Sequence, residues 1–323
     1  MNRSWPVDAL AFEESVEAAL AHLGGFEYAR ECEADPARRC AIAATVKTLE
    51  LDQLRFGADE VEAAAAALAC RAAGRVAAPW PLVQALTARA GDDDGLGAVY
   101  LVAGAPRRAE HLDVAGRAVA LDVRAGVAHE LVADGDASRM PLDPFGMPCR
   151  LGEAAPAPAD AIVVSTVLSA YWTLGALETA IELAGAYSVE RHQFGRPIYN
   201  FGAIQWRLAD LAVDVASLSE LAGFTLARAI DGVATMADAW ALRLQMIESA
   251  NAVLTDAHQV FGAIGLCEEH DLVIVDRHLQ GLLRRPFGEV ATATALAAEV
   301  AAQGFELLYP IEPSASEERV AAA

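Results

Sequence analysis

Arg191-His192-Gln193-Phe194-Gly195-Arg196-Pro197-Ile198 separates two long segments of helical periodicity, and its reading decides the fold. Before it, residues 160–189 carry Ile162, Leu168, Tyr171, Leu174, Leu177, Ile181 and Tyr187 along one face. After it, residues 202–231 carry Ile204, Leu208, Leu211, Val215, Leu218 and Leu221. Steps of three and four lay an apolar stripe along a helix, and that stripe must be covered. A third stripe runs over 237–263 through Leu242, Met246, Ala250, Leu254 and Val260, and a fourth follows position 288 through Leu296 and Val300. Four long striped helices predict an antiparallel four-helix bundle. Asp160, just ahead of Ile162, is its expected first N-cap.

Upstream the pattern changes twice. Residues 1 to 90 read as helical, with an acidic helix start at Gly57-Ala58-Asp59-Glu60 and a stripe through Val61, Ala65, Leu68, Ala72 and Val76. Pro79 and Pro81 stop it. The polar stretch 91–95 is a break, after which strand signals appear. Val99-Tyr100-Leu101-Val102 is a short apolar run, Val119, Leu121 and Val123 alternate with smaller residues, and Asp134-Gly135 marks a turn. Pro141 to Pro158 reads as a Pro-rich connector. The expected organisation is therefore mainly α, of the α+β kind, in three parts: N-terminal helices over 1–95, a small β-rich middle over 96–158, and a helical bundle over 159–323. With no βαβ alternation, no Rossmann sheet is expected.

Composition narrows the function. A net charge of −21, with Lys47 the only lysine, argues against nucleic acid as a partner, because phosphate neutralisation needs a basic patch. The first 23 residues lack the basic-then-apolar order of a signal peptide, and no run of 18 uninterrupted apolar residues predicts a membrane span. The expected location is cytoplasmic. Five irregularly spaced cysteines (Cys32, Cys40, Cys70, Cys149 and Cys267) read as free thiols. The seven histidines form no metal constellation. His258 and His270 read as capping or surface residues.

Two segments carry more than helix. Residues 191–198, with Phe201, Ile204, Gln205 and Leu208-Ala209-Asp210 behind them, resemble the R-x-x-F-G-x-P-I signature of the acyl-CoA dehydrogenases. Gln259-Val260-Phe261-Gly262-Ala263-Ile264-Gly265 resembles that family's Q-x-x-G-G-x-G, and Arg277 stands where the family has an arginine beyond it. The chemistry suits a dinucleotide flavin. An arginine at a helix end offers paired, charge-assisted hydrogen bonds to a pyrophosphate. Glycines just past a helix expose backbone N–H groups, and a glutamine both donates and accepts, as an adenine or ribose requires. The resemblance implies FAD as cofactor. It assigns Arg191, Gln193, Phe194, Phe201, Gln259, Gly262, Ala263 and Gly265 to the ADP half of a flavin bound mainly by another chain.

The departures from that family are as informative. Its W-x-T-x-G motif, which lays the flavin ring on the sheet, has no counterpart between Gly91 and Pro158. Trp172-Thr173-Leu174-Gly175 imitates it inside a helix, where core packing is the expected role. The family's catalytic glutamate stands at one of two places, which here are Pro286 and Ser165. Glu289 is the nearest acid to the first, with a favourable charge at a helix N-terminus as its simpler reading. Gly202 replaces a frequent flavin-contacting glutamine. Arg284-Arg285 reads as a helix-end charge pair, with a CoA phosphate as the alternative.

A chain with the neighbour-facing half of a flavin site, and without a ring site or base, is similar to the smaller subunit of heteromeric actinobacterial acyl-CoA dehydrogenases. These are α2β2 assemblies that oxidise CoA thioesters of steroid side chains such as those of cholesterol. The resemblance implies a catalytic partner subunit that supplies the ring site, the glutamate and most thioester contacts. Two other readings stay open: a self-sufficient homo-oligomeric enzyme with Glu289 as base, and a non-catalytic scaffold.

Overall fold

The computed structural model describes residues 5–91, 93, 95–135, 140 and 142–303. Five helices come first: α1 (Val7–His22), α2 (Gly25–Ala34), α3 (Cys40–Thr48), α4 (Glu60–Arg75) and α5 (Leu82–Ala88). α4 begins where the acidic start predicts, with the Asp59 carboxylate accepting from the Glu62 backbone N–H at 2.8 Å. Its alanines, Ala63 to Ala67, are all buried. Val61, expected on the same stripe, is instead 39% exposed in the first turn.

Five strands follow: β1 (Ala98–Val102), β2 (Arg108–Glu110), β3 (Ala118–Asp122), β4 (Val127–Ala133) and β5 (Gly146–Ala154). They form one sheet of order β1-β3-β4-β5-β2, with β1 and β3 parallel and the other pairs antiparallel. β1 is buried on both faces. Val99 and Leu101 join Val119, Leu121, Ala88 and Ala161 in a core against α5 and the start of the next helix. Tyr100 and Ala98 join Ala109, Leu112 and Cys149 on the other face. The stretch expected as a Pro-rich connector is corrected here, because it contains β5, the longest strand (Pro141 itself lies outside the described residues). Two glycines and Pro148 break its alternation, so its pairing with β4 and β2 was hidden from periodicity.

The last part contains α6 (Ala161–Glu190), α7 (Gly202–Ile230), α8 (Met236–Phe261), α9 (Asp271–Arg284) and α10 (Glu289–Gln303). Five helices stand where four were expected. The extra one, α9, is 14 residues long, and its buried stripe is Leu272, Val275, Leu279 and Leu283. Asp160 occupies the N-cap position of α6 without a side-chain capping bond, against expectation. α8 starts on a capping box in which Thr235 Oγ1 accepts from the Asp238 N–H at 3.2 Å and Asp238 accepts from the Thr235 N–H at 2.7 Å. Thr235→Ala is expected to lower stability by about 1 kcal/mol, read as a shift in the urea midpoint.

α6 is the central element. By length and composition it passes for a membrane-crossing helix, but 83% of its apolar window is buried inside the protein. It packs on α4 so closely that glycines are needed at the crossing. A Cβ on Gly74 would lie 1.9 Å from the Trp172 carbonyl oxygen, and one on Gly175 would lie 1.9 Å from that of Arg71. The Trp172-Gly175 segment is thus core, as expected. Beside the crossing, Arg71 pairs with Glu178 and Glu13, while Arg75 pairs with Glu17, Glu178 and Glu182.

Candidate functional site

α6 and α8 run in the same direction and end side by side. Tyr187, in the last turn of α6, meets Phe261 at the end of α8, with ring centroids 4.7 Å apart. The two signature segments begin where these helices stop, so the fold brings them to one end of the bundle. α7 starts at that end as well.

Residues 191–201 form a small exposed hairpin. His192-Gln193 pairs antiparallel with Arg196-Pro197 around a two-residue turn. Both turn residues have positive φ, 52° at Phe194 and 79° at Gly195. That is the geometry of a type I′ turn, which glycine adopts freely and phenylalanine does not. The Phe194 ring is 92% exposed, 6.2 Å from Phe201 in an edge-on arrangement. The Arg196 guanidinium lies 4.2 Å over the Phe201 ring. Arg191 is the C-cap of α6; its N–H donates to Tyr187 and its carbonyl accepts from Ile198. Its side chain is exposed and has no ion-pair partner among the described residues. Gln193 and Gly202 are exposed too.

The loop after α8 presents the second group. Gln259 is exposed in the last helical turn, and Gly262 follows with φ 63° and ψ −142°, a conformation that admits only glycine comfortably. Ala263 is exposed. Gly265 is buried, and a Cβ there would come within 2.7 Å of Phe261 Cβ. His270 caps α9 by accepting from the Leu272 N–H at 3.2 Å, and His258 Nε2 lies 3.4 Å from Asp276 Oδ2. No group of three His, Cys, Asp or Glu that could hold a metal occurs among the described residues. The cysteines are free: Cys32, Cys70 and Cys149 buried, Cys40 and Cys267 exposed.

The donor set fits the ADP half of a flavin. Arg191 offers a guanidinium without an ion-pair partner among the described residues, Gln193 and Gln259 offer exposed carboxamides, and Gly262 offers an exposed turn. Arg277 is not part of that set, since it is buried in an ion pair with Glu33 of α2.

Of the two base positions, Ser165 lines a cavity elsewhere, and Pro286 follows a residue that lines it. Ser165, on α6, and Arg285, which precedes Pro286, line one cavity of about 30 Å³ between the sheet and the helices. Pro286 is half-buried, whereas Glu289 is exposed in the first turn of α10 with Asn251 Nδ2 3.5 Å away. Sequence reading missed two residues of this cavity. Glu110, on β2, is half-buried against Gly281, and its carboxyl is pushed upward by desolvation more than Arg285, 3.3 Å away, pulls it down. Arg285 is thereby engaged with Glu110. The other is Arg243, 3% exposed on α8. No motif marked either; only the closure of sheet on bundle places them. The neighbouring cavity, of about 40 Å³, runs past Glu110 to Trp80, Phe145 and His278.

The model of the acyl-CoA dehydrogenase C-terminal domain matches residues 161–289. The chain is 34% identical over 117 residues to the acyl-CoA dehydrogenase IpdE2 of Mycolicibacterium smegmatis, covering 36% of this chain and 36% of that protein. It is 32% identical over 107 residues to the short-chain specific acyl-CoA dehydrogenase of Megasphaera elsdenii, covering 33% and 27%. These matches thus span about a third of the length of the curated relatives. Among solved structures, the ChsE4-ChsE5 complex of Mycobacterium tuberculosis aligns with a TM-score of 0.79 at 18% identity, covering 93% of this chain and 99% of the other. The Tcur3481-Tcur3483 steroid ACAD aligns at 0.76 and 17%, covering 92% and 99%. Likeness at such identity shows the fold. Residues 161–289, which hold both signature segments, match the acyl-CoA dehydrogenase C-terminal domain, in a chain that shares the fold of these solved structures over 92–93% of its length.

Proposed function

We propose that this chain is a subunit of a heteromeric FAD-dependent acyl-CoA dehydrogenase that lends contacts to the ADP half of a flavin seated mainly in a partner chain. One observation carries the reading: Arg191, Gln193, Gln259 and Gly262 are exposed on the segments at the adjacent ends of α6 and α8. The same end of the bundle exposes Phe194, Trp206, Val213, Ile264 and Leu266, a set of large apolar side chains that a partner would cover. Two further features support the division of labour. The cavities of about 30 and 40 Å³ between sheet and bundle are far below the roughly 300 Å³ that a ligand pocket requires. Ser165 and Pro286 stand at the places where a carboxylate base is expected.

When bound, the flavin accepts the β-hydride as the thioester loses its α-proton. This chain's residues bind and orient. Arg191 would donate charge-assisted hydrogen bonds to the pyrophosphate, Gln259 and the Gly262 turn would hold the nucleoside end, and the bundle face would exclude water. The partner supplies the ring site and the base. Likeness to solved steroid acyl-CoA dehydrogenases supports a steroid side-chain thioester as the substrate class.

Arg191→Ala is expected to weaken FAD retention in the co-purified complex by about 1.5–3 kcal/mol, roughly 10- to 150-fold in Kd, with the circular dichroism unchanged. Flavin absorbance per subunit pair measures this. Full FAD retention in that variant, or a yellow protein from this chain expressed alone, overturns the reading.

A further inference from the structure

Arg243 presents a problem of charge. It is 3% exposed, its NH1 donates to the Leu282 carbonyl at 3.2 Å, and its NH2 donates to those of Leu283 and Phe287 at 3.0 and 2.8 Å. Its Nε–H is buried without a partner, and no carboxylate pairs with the guanidinium among the described residues. Burial alone pulls its pKa down to about 10, so it remains a cation at neutral pH. The carbonyl end of α9 supplies only a partial negative charge. An uncompensated buried ion costs several kcal/mol, and the cavity beside Arg243 is where compensation can enter.

That cavity is the one lined by Ser165. It has two guanidinium groups, Arg243 and Arg285, against the single carboxyl of Glu110, which already pairs with Arg285. In a chain of net charge −21, this small cavity carries a positive excess. Ser165 and Ser169, 7% and 6% exposed, add hydroxyl donors to its lining. A volume of about 30 Å³ has room for only roughly two water-sized particles, too little for an extended ligand. A water would meet the free N–H but leave the charge.

We propose that this cavity is a binding site for a single monatomic anion of the halide class, held by Arg243 Nε and the serine hydroxyls. The anion occupies the region where Ser165 replaces an expected carboxylate. It locks α6, α8 and the end of α9 together.

The test is thermal unfolding of the full chain at constant ionic strength, with sodium bromide or chloride exchanged for sodium gluconate. A halide-specific, saturating rise of about 2–4 °C in the midpoint is expected, absent in Arg243→Gln. Equal midpoints in halide and gluconate, or a halide response that survives in the variant, overturn the proposal. Should Arg243→Gln fail to fold, bromide-soaked crystals of the unaltered chain decide. An anomalous peak beside Arg243 supports the site, and its absence from a water-filled cavity overturns it. Neither readout involves flavin or a partner, so the outcome is separate from that of the proposed function.

Discussion

Gly175→Leu is expected to abolish accumulation of folded protein, and Gly175→Ala to lower stability by about 3 kcal/mol, at the upper end of usual overpacking costs. A Cβ at 175 meets the Arg71 carbonyl oxygen at 1.9 Å and the Arg71 carbonyl carbon at 2.8 Å. These are backbone atoms of α4, which cannot rotate aside as a side chain would. Gly74 makes the reciprocal approach to Trp172, so α4 and α6 touch backbone to backbone at two points. Relief requires the helices to part, which uncovers the small alanines packed between them and pulls Arg71 and Arg75 from Glu178. Native stability is only about 5–15 kcal/mol, so leucine, with three more carbons, exceeds what the crossing can absorb. Urea midpoints with an unchanged m value read the alanine variant. A loss under about 0.5 kcal/mol would contradict the crossing geometry.

Glu33→Ala is expected to lower stability by about 3–5 kcal/mol, the range for removing one partner of a buried ion pair. Glu33 joins Arg277 and His278 of α9 to α2, with its Oε1 2.9 Å from His278 Nε2. His278 Nδ1 lies 2.7 Å from the Ala77 carbonyl, so both ring nitrogens face oxygen acceptors. The three side chains are 5%, 11% and 4% exposed, and deletion of the carboxylate leaves Arg277 only the longer contact to the exposed Glu268, and His278 only the Ala77 carbonyl. Burial raises the Glu33 pKa, but the hydrogen bond and charge of His278, with the charge of Arg277, outweigh it and hold the carboxyl below its ordinary 4.5. The unfolded chain therefore takes up the proton first as pH falls. Glu33's contribution is full above about pH 4.5 and is lost as pH drops through the folded value. Urea midpoints from pH 7 to 3 should show that loss in the unaltered chain and a flatter profile in Glu33→Ala. Parallel profiles would remove the ionic account of the cluster.

Much of the architecture was legible. The stripes on α6, α7, α8 and α10 follow from local spacing, and the Asp59 start of α4 follows from capping chemistry. α9 was missed because it is short, although Leu272, Val275, Leu279 and Leu283 lay a helical stripe along it. β5 was missed because Pro148 and its glycines mask the alternation of a strand. At the candidate site, Arg191 and Gln259 were legible because their segments are contiguous motifs. Glu110 and Arg243 were not, since each is a lone charge in its own segment.

By itself the sequence determined the helical bundle, the mixed α and β order, and the two signature segments around residues 191–198 and 259–265. Only tertiary structure decided that both segments open from adjacent helix ends, and that Gly74 and Gly175 are contact points. It also decided that Ser165 shares one small cavity with Glu110, Arg243 and Arg285. The reason is range. Periodicity and capping act within a few residues, whereas Ser165 and Arg243 become neighbours only when α6, α8 and the sheet close on one another.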